Sequence, residues 1–166
     1  MAVYQVVVHE YLKNSKDTLN LADRTEPLQK APVSFEGGCP ADRAKPEPSH
    51  VVHRTAQAAA LDKRLALVDP DKQQEKINTG DPQILVKKAI DDHVMPSDQD
   101  LENSIKQAFK NGVFTLSEIV FDKKHQFALV SYSFVCGGLC GNGNTYVLEK
   151  SSGKWKIKKT CGGWVA

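Results

Sequence analysis

The chain has 166 residues, 22 basic against 20 acidic, for a net charge of +2. That balance excludes the charge footprint of a nucleic-acid binder, and no apolar run approaches the roughly 18 residues that span a membrane. A chain of this length is read as one domain over 1–166, long enough to build a core without cysteine staples.

At the N-terminus, Met1-Ala2-Val3 runs straight into patterned sequence, with no basic region followed by an apolar leader. Two settings fit: a cytosolic protein, or an exported one whose chain starts at a mature N-terminus with a methionine added. Tyr4, Val7, Val8, Tyr11 and Leu12 recur at i, i+3, i+4 and i+7, which predicts a helix over 3–13. Thr18-Leu19-Asn20-Leu21-Ala22 alternates like a short strand and leads into Asp23-Arg24-Thr25-Glu26. Residues 27–50 form an irregular stretch rich in proline and glycine, with Cys39 in its middle. Such stretches are uncommon in compact domains, and they are usually functional or tied down.

A helix is expected over 54–67, with Ala56, Ala59, Ala60, Leu61, Leu65 and Leu67 apolar and Pro70 as its stop. Residues 71–82 read as polar linker, and Gln83-Ile84-Leu85-Val86 as a short apolar element. Ser97 with Asp100 three positions on marks a helix start. Leu101, Ile105, Ala108 and Phe109 supply its apolar stripe, and Asn111-Gly112 its end.

The last third predicts an antiparallel sheet over 114–161, with strands at 114–121, 126–135, 145–150 and 155–161. Asp122–His125 and Ser151–Lys154 are hairpin connections. Apolar residues occupy both faces of 126–135, so this strand is central; Lys156 and Lys158 place 155–161 at an edge or a wet face. The fold class is α+β: N-terminal helices and a long irregular loop packed on a C-terminal four-stranded antiparallel meander.

Between the second and third strands lies Cys136-Gly137-Gly138-Leu139-Cys140-Gly141-Asn142-Gly143. This motif, together with Thr115-Leu116-Ser117, Phe121-Asp122, Ala128-Leu129-Val130, Tyr146–Lys150, Gly153-Lys154-Trp155 and Trp164, resembles a group of uncharacterised bacterial proteins. Ala22-Asp23-Arg24-Thr25 after a short strand is similar to theirs too. The likeness is strong over 114–166 and weak over 27–100. Members of that group often carry export signals and have no assigned activity. The resemblance therefore implies a fold and a periplasmic or secreted setting, and carries no catalytic residue across.

Four cysteines permit three full pairings, and sequence alone does not choose among them. In an exported protein the expected set is Cys136–Cys140 with Cys39–Cys161, which uses all four and anchors the irregular stretch to the last strand. Chain entropy assigns the small ring about 2 kcal/mol and the long one nearer 5 kcal/mol. Zinc is the rival, but Cys136 and Cys140 lack a second closely spaced ligand pair. Redox exchange fits less well: the motif has two intervening residues at a helix start, and here there are three between strands. The glycines open no helix and precede no Lys-Ser pair, so the phosphate-loop pattern is absent.

Of His9, His50, His53, His93 and His125, the pair His50 and His53 would suit a metal only if a helix began there and reads as surface, as does His125 in its turn. Asp23–Glu26 reads as an ion pair and turn cap. Ser117, Ser131 and Ser133 lie on strands without a nucleophile elbow. Trp155, Trp164, Tyr132 and Tyr146 are core or sheet-face aromatics, which would mark a binding patch if exposed together. The functional expectation is a non-catalytic, exported binding or inhibitory module. Its disulfide-closed loop (Gly137, Gly138, Leu139, Gly141, Asn142, Gly143), with 36–50, would contact a protein or a small ligand, with no cofactor and no metal. The alternative is a thiol- or zinc-dependent enzyme or metal protein using Cys136 and Cys140.

Overall fold

The computed structural model describes residues 2–28, 55–122 and 124–166. The expected irregular stretch beyond Leu28, including Cys39, His50 and His53, lies outside the described residues. Helix α1 (Ala2–Leu12) forms as the apolar spacing predicts and buries Val3, Val7, Val8 and Leu12. Strand β1 (Leu19–Ala22) follows, again as expected.

The segment 54–82 departs from the sequence expectation. Helix α2 (Thr55–Leu61) stops early, and Leu65–Val68 becomes strand β2, parallel to β1 from Leu19↔Leu65 to Ala22↔Val68. Its four apolar side chains suit a strand covered on both faces, and alanine-rich helical spacing upstream masks that preference. Asp62 makes the turn: its carboxylate accepts from Arg64 N at 2.9 Å, and its carbonyl from Leu65 N at 3.1 Å. The Arg64 guanidinium returns two bonds to Asp62 at 2.9 and 2.7 Å, and a third goes to the Leu12 carbonyl at 3.1 Å. One bidentate pair thus ties the α2–β2 turn to the end of α1.

Pro70 starts a helix rather than ending one. It occupies the first position of α3 (Pro70–Thr79), with Asp69 as N-cap, so the expected linker is helical. A missing N–H costs nothing at that position, where the donor would be unbonded anyway. Pro82 repeats the arrangement in α4 (Pro82–Asp91), capped by Asp81, and extends the short apolar element to ten residues. Helix α5 (Asp98–Asn111) carries the expected Ser97–Asp100 capping box. Of its predicted stripe Ala108 is buried and Leu101 half-buried, while Ile105 and Phe109 stay largely exposed.

Strands β3 (Val113–Leu116), β4 (Val120–Phe121), β5 (Phe127–Gly137), β6 (Cys140–Ser151) and β7 (Lys154–Val165) complete the sheet. The order is β2-β1-β3-β5-β6-β7, with β4 also on β5. The fold is α+β, but the four-stranded meander is part of a larger mixed sheet of seven strands among the described residues. Strands β1 and β2 add the parallel pairs. The first predicted strand is split because the chain leaves β5 after Leu116. There Glu118 N donates to the Glu26 carbonyl at 2.7 Å.

The sheet buries both faces unequally. Under α1 lies the larger core, where Leu19, Leu21, Phe114, Leu116, Val130 and Leu148 pack. Tyr11 reaches into it with its ring 4.6 Å from Phe114, and burial pushes its phenol up to about 12. On the other face, Ile77 of α3 covers Ala22 and Val113, with Val68 packed against them. The remainder of that face is the candidate site.

Phe114 is fully buried, so Phe114→Ala is expected to cost about 3–5 kcal/mol, measured by urea unfolding. The Arg64 hydrogen bond holds the Asp62 carboxyl down at about 2. Its folded value lies below the ordinary value of about 3.9. The pair's stabilisation is therefore complete above that value and is lost as pH falls toward the folded one. Asp62→Asn should accordingly lower Tm at pH 7, with the deficit shrinking as pH falls from about 4.

Candidate functional site

The Cys136–Gly143 segment is a tight turn rather than a wide loop. Strand β5 runs through Gly137 and β6 begins at Cys140, leaving only Gly138 and Leu139 between them. Gly141, Asn142 and Gly143 pair within the sheet, opposite Val135, Phe134 and Ser133. The register shifts by one residue between Val135 and Gly137, so Cys136 is the extra residue of a bulge. Cys136 is buried and bonded to Cys140 across a Cα–Cα distance of 5.0 Å. The local disulfide is therefore as expected, closing a smaller tip.

This tip is also held from outside. Asp81, already capping α4 through Gln83 N at 2.9 Å, accepts from Gly138 N at 2.8 Å. No sequence signal announces that bond, because its partners lie 57 positions apart. Leu139 alone projects, 77% exposed. Asn142 meets Tyr11 on the α1 side, and neighbouring Asn144 donates to the Tyr132 hydroxyl at 3.0 Å. Asn142 thus braces the core face.

On the opposite face, Gly141 and Gly143 make room for Trp164. A Cβ on Gly141 would come within 2.9 Å of the indole, and one on Gly143 would come within 2.8 Å of the Tyr132 carbonyl and overlap the indole nitrogen. Only hydrogen at both positions lets the ring rest on the strand. Trp164 reaches this face because β7 slips register beside Cys161 and Gly162. Thr160 pairs with Tyr146, yet Gly163 pairs with Asn144 and Trp164 with Gly143. Without that extra residue, alternation would put Trp164 on the core face. Gly162 has φ 127°, a conformation that favours glycine at this bulge.

Beside the indole lies a cleft of about 560 Å³ including its open mouth. Its floor is two rows of side chains set by strand register. One runs Thr115, Ser133, Gly143, Trp164 across β3, β5, β6 and β7; the other runs Ser131, Thr145 across β5 and β6, with Ser117 beside Ser131. Glu26 and Pro27 form a further wall. Ser117 is committed, accepting from Ser131 N at 2.8 Å and donating to the Glu118 carbonyl at 2.8 Å. By contrast, Ser131 Oγ is buried with no hydrogen-bond partner among the described residues. The hydroxyls of Thr115, Ser133 and Thr145 make no side-chain hydrogen bond among the described residues.

Asp23–Glu26 is dispersed rather than self-paired. Arg24 pairs with Asp71 at 2.5 Å on the surface, Thr25 is buried and donates to Glu118, and Glu26 turns to the cleft. Burial, with the Glu118 charge adding to it, holds the Tyr4 phenol well above its ordinary range. That phenol donates to the Ser117 carbonyl at 2.9 Å, behind the cleft. His125 is exposed, as expected, and so are His9 and His93. Tyr132 and Tyr146 belong to the core and Trp155 is half-buried near Phe121, so Trp164, at 42% exposure, is the exposed ring of the four aromatics singled out. Cys161 is not a free thiol, and its expected pairing with Cys39 lies outside the described residues. Among the described residues, no group of three or more His, Cys, Asp or Glu is arranged around a metal-sized gap.

Gly143→Ala should drive the indole off the strand, costing about 1–3 kcal/mol in unfolding experiments, with a red shift in tryptophan emission. An unchanged spectrum would contradict the packing described. Set against family models, curated proteins and solved structures, the chain matches none of them.

Proposed function

We propose that this protein is a non-catalytic, exported binding module, and that it takes a small polar ligand in the cleft between Trp164 and Glu26. The observation that carries the reading is the seat made for Trp164. A register slip, a left-handed glycine and two strand glycines all serve to lay one indole beside unbonded hydroxyls. Such prior ordering lowers the entropy cost of binding. Small-molecule sites usually combine an apolar wall with a few placed polar groups, as here.

The lining supports binding over catalysis. Ser131 and Ser133 stand mid-strand, and neither histidine nor cysteine lines the cleft among the described residues. Export is supported by the Cys136–Cys140 disulfide, since such bonds persist in oxidising compartments. Membership of the Cys-Gly-Gly-Leu-Cys-Gly group belongs to the same proposal. A thiol or zinc role for Cys136 and Cys140 would first require breaking the bond between them.

A thermal-shift screen of small polar compounds tests the reading. A ligand present at about 100 times its Kd should stabilise the protein by about 2.7 kcal/mol. That gain should vanish in Trp164→Ala. Stabilisation that survives this substitution, or conversion of the compound during incubation, would overturn the proposal.

A further inference from the structure

Resting on the cleft as the ligand site, we infer that the ligand is a neutral sugar ring. It lies with its C–H face on the Trp164 indole and its hydroxyls bonded to Thr115, Ser131, Ser133 and Thr145.

Charge narrows the choice first. Among the described residues no Lys, Arg or His lines the cleft, and Glu26 supplies a carboxylate. From the described lining residues an anionic ligand would meet no counter-charge and one repulsion. A cationic ligand would meet Glu26 and the indole face, but it satisfies only half of what the floor offers. Each serine or threonine hydroxyl both donates and accepts, whereas an ammonium can only donate. Four such hydroxyls want a partner that is itself donor and acceptor at several points, which a sugar ring is.

The layout agrees. Thr115 and Ser133 face each other across β3 and β5, as do Ser131 and Thr145 across β5 and β6. Neighbouring strands stand about 4.8 Å apart, and next-but-one residues along a strand about 6.8 Å. By those spacings each facing pair stands about 5 Å apart and the far corners, Thr115 and Thr145, about 12 Å. A pyranose therefore bridges each facing pair and spans the corners only through hydroxyls on its opposite edges. Trp164 borders the same row beyond Gly143. Its flat apolar surface matches the C–H face of a pyranose, while the ring's polar edge turns to the hydroxyls.

Ser131 supplies the independent observation. Its Oγ is buried and unbonded, a state that costs stability unless a partner arrives. In this rotamer the Oγ has no exposed surface, so a turn of χ1 toward the cleft is what lets a ligand hydroxyl take that bond and remove the cost. Truncating Ser131 should therefore separate folding from recognition. Ser131→Ala should be as stable as the natural chain or more so, yet bind more weakly.

The test uses the full 166-residue chain. Methyl glycosides of common hexoses and N-acetylhexosamines are titrated against tryptophan emission and by calorimetry, with choline and acetate as charged probes. A glycan array run alongside distinguishes a free sugar from the end of a longer glycan, and binding to either supports the inference. Expected is a saturable change with at least one glycoside, abolished in Trp164→Ala. Affinity should fall about 5–30-fold in Ser131→Ala, the equivalent of losing one hydrogen bond worth about 1–2 kcal/mol. Thr145→Val serves as a second variant should Trp164→Ala fail to fold. Binding of choline or acetate but no glycoside would overturn the sugar while leaving the cleft as a ligand site. No binding by any probe would overturn both. A crystal structure grown with glycoside in which only an ordered water bonds Ser131 would overturn the sugar as well. So would undiminished glycoside affinity in Ser131→Ala.

Discussion

Burial of one face of β5 beneath α1 is the constraint on which the remaining architecture depends. Ala128, Val130, Tyr132, Phe134 and Cys136 alternate into the core, so Leu129, Ser131, Ser133 and Val135 must point the other way. With a period of two, that single assignment fixes which residues of β3 and β6 share each face through their register with β5. The hydroxyl floor of the cleft is the reverse side of the hydrophobic core. A change that moved β5 by one residue would exchange the two.

Strand β7 obeys the same rule but breaks step twice, once opposite Val147–Leu148 and once at Cys161–Gly162. The second break matters for the site. It sends a large aromatic away from the core, which Tyr132 and Tyr146 already fill, and onto a face otherwise floored by small residues. The glycines of β6 then have a specific task. They remove the side chains that would stand between the indole and the strand, and the disulfide and Asp81 hold the adjoining turn in place.

Legibility in the sequence followed the range of the interactions involved. Helix α1, the capped α5 and the long antiparallel strands rest on local period and capping, and they lie where their residues predict. Segment 54–82 was misleading because Pro70 has two opposite local meanings, helix stop and first helical residue, and Asp69 as N-cap selects the second. Leu65–Val68 carries no alternation, so its pairing with β1 could not be read from its own four residues. Gly141 and Gly143 read as loop because glycine is poor in strands; only the indole resting on them gives the reason for their presence.

Composition and period pointed to an α+β chain, and the Cys136–Cys140 spacing to a disulfide-closed hairpin only on the condition of export; the structure has both features. The motif's glycines and cysteines shape the turn, while the cleft is lined by Ser131, Ser133, Thr115, Thr145 and Trp164, which lie scattered along the sequence. Those residues come from four strands and meet only through cross-strand register. Register depends on which face is buried and where a bulge inserts one residue, and both are decided by packing across the whole sheet.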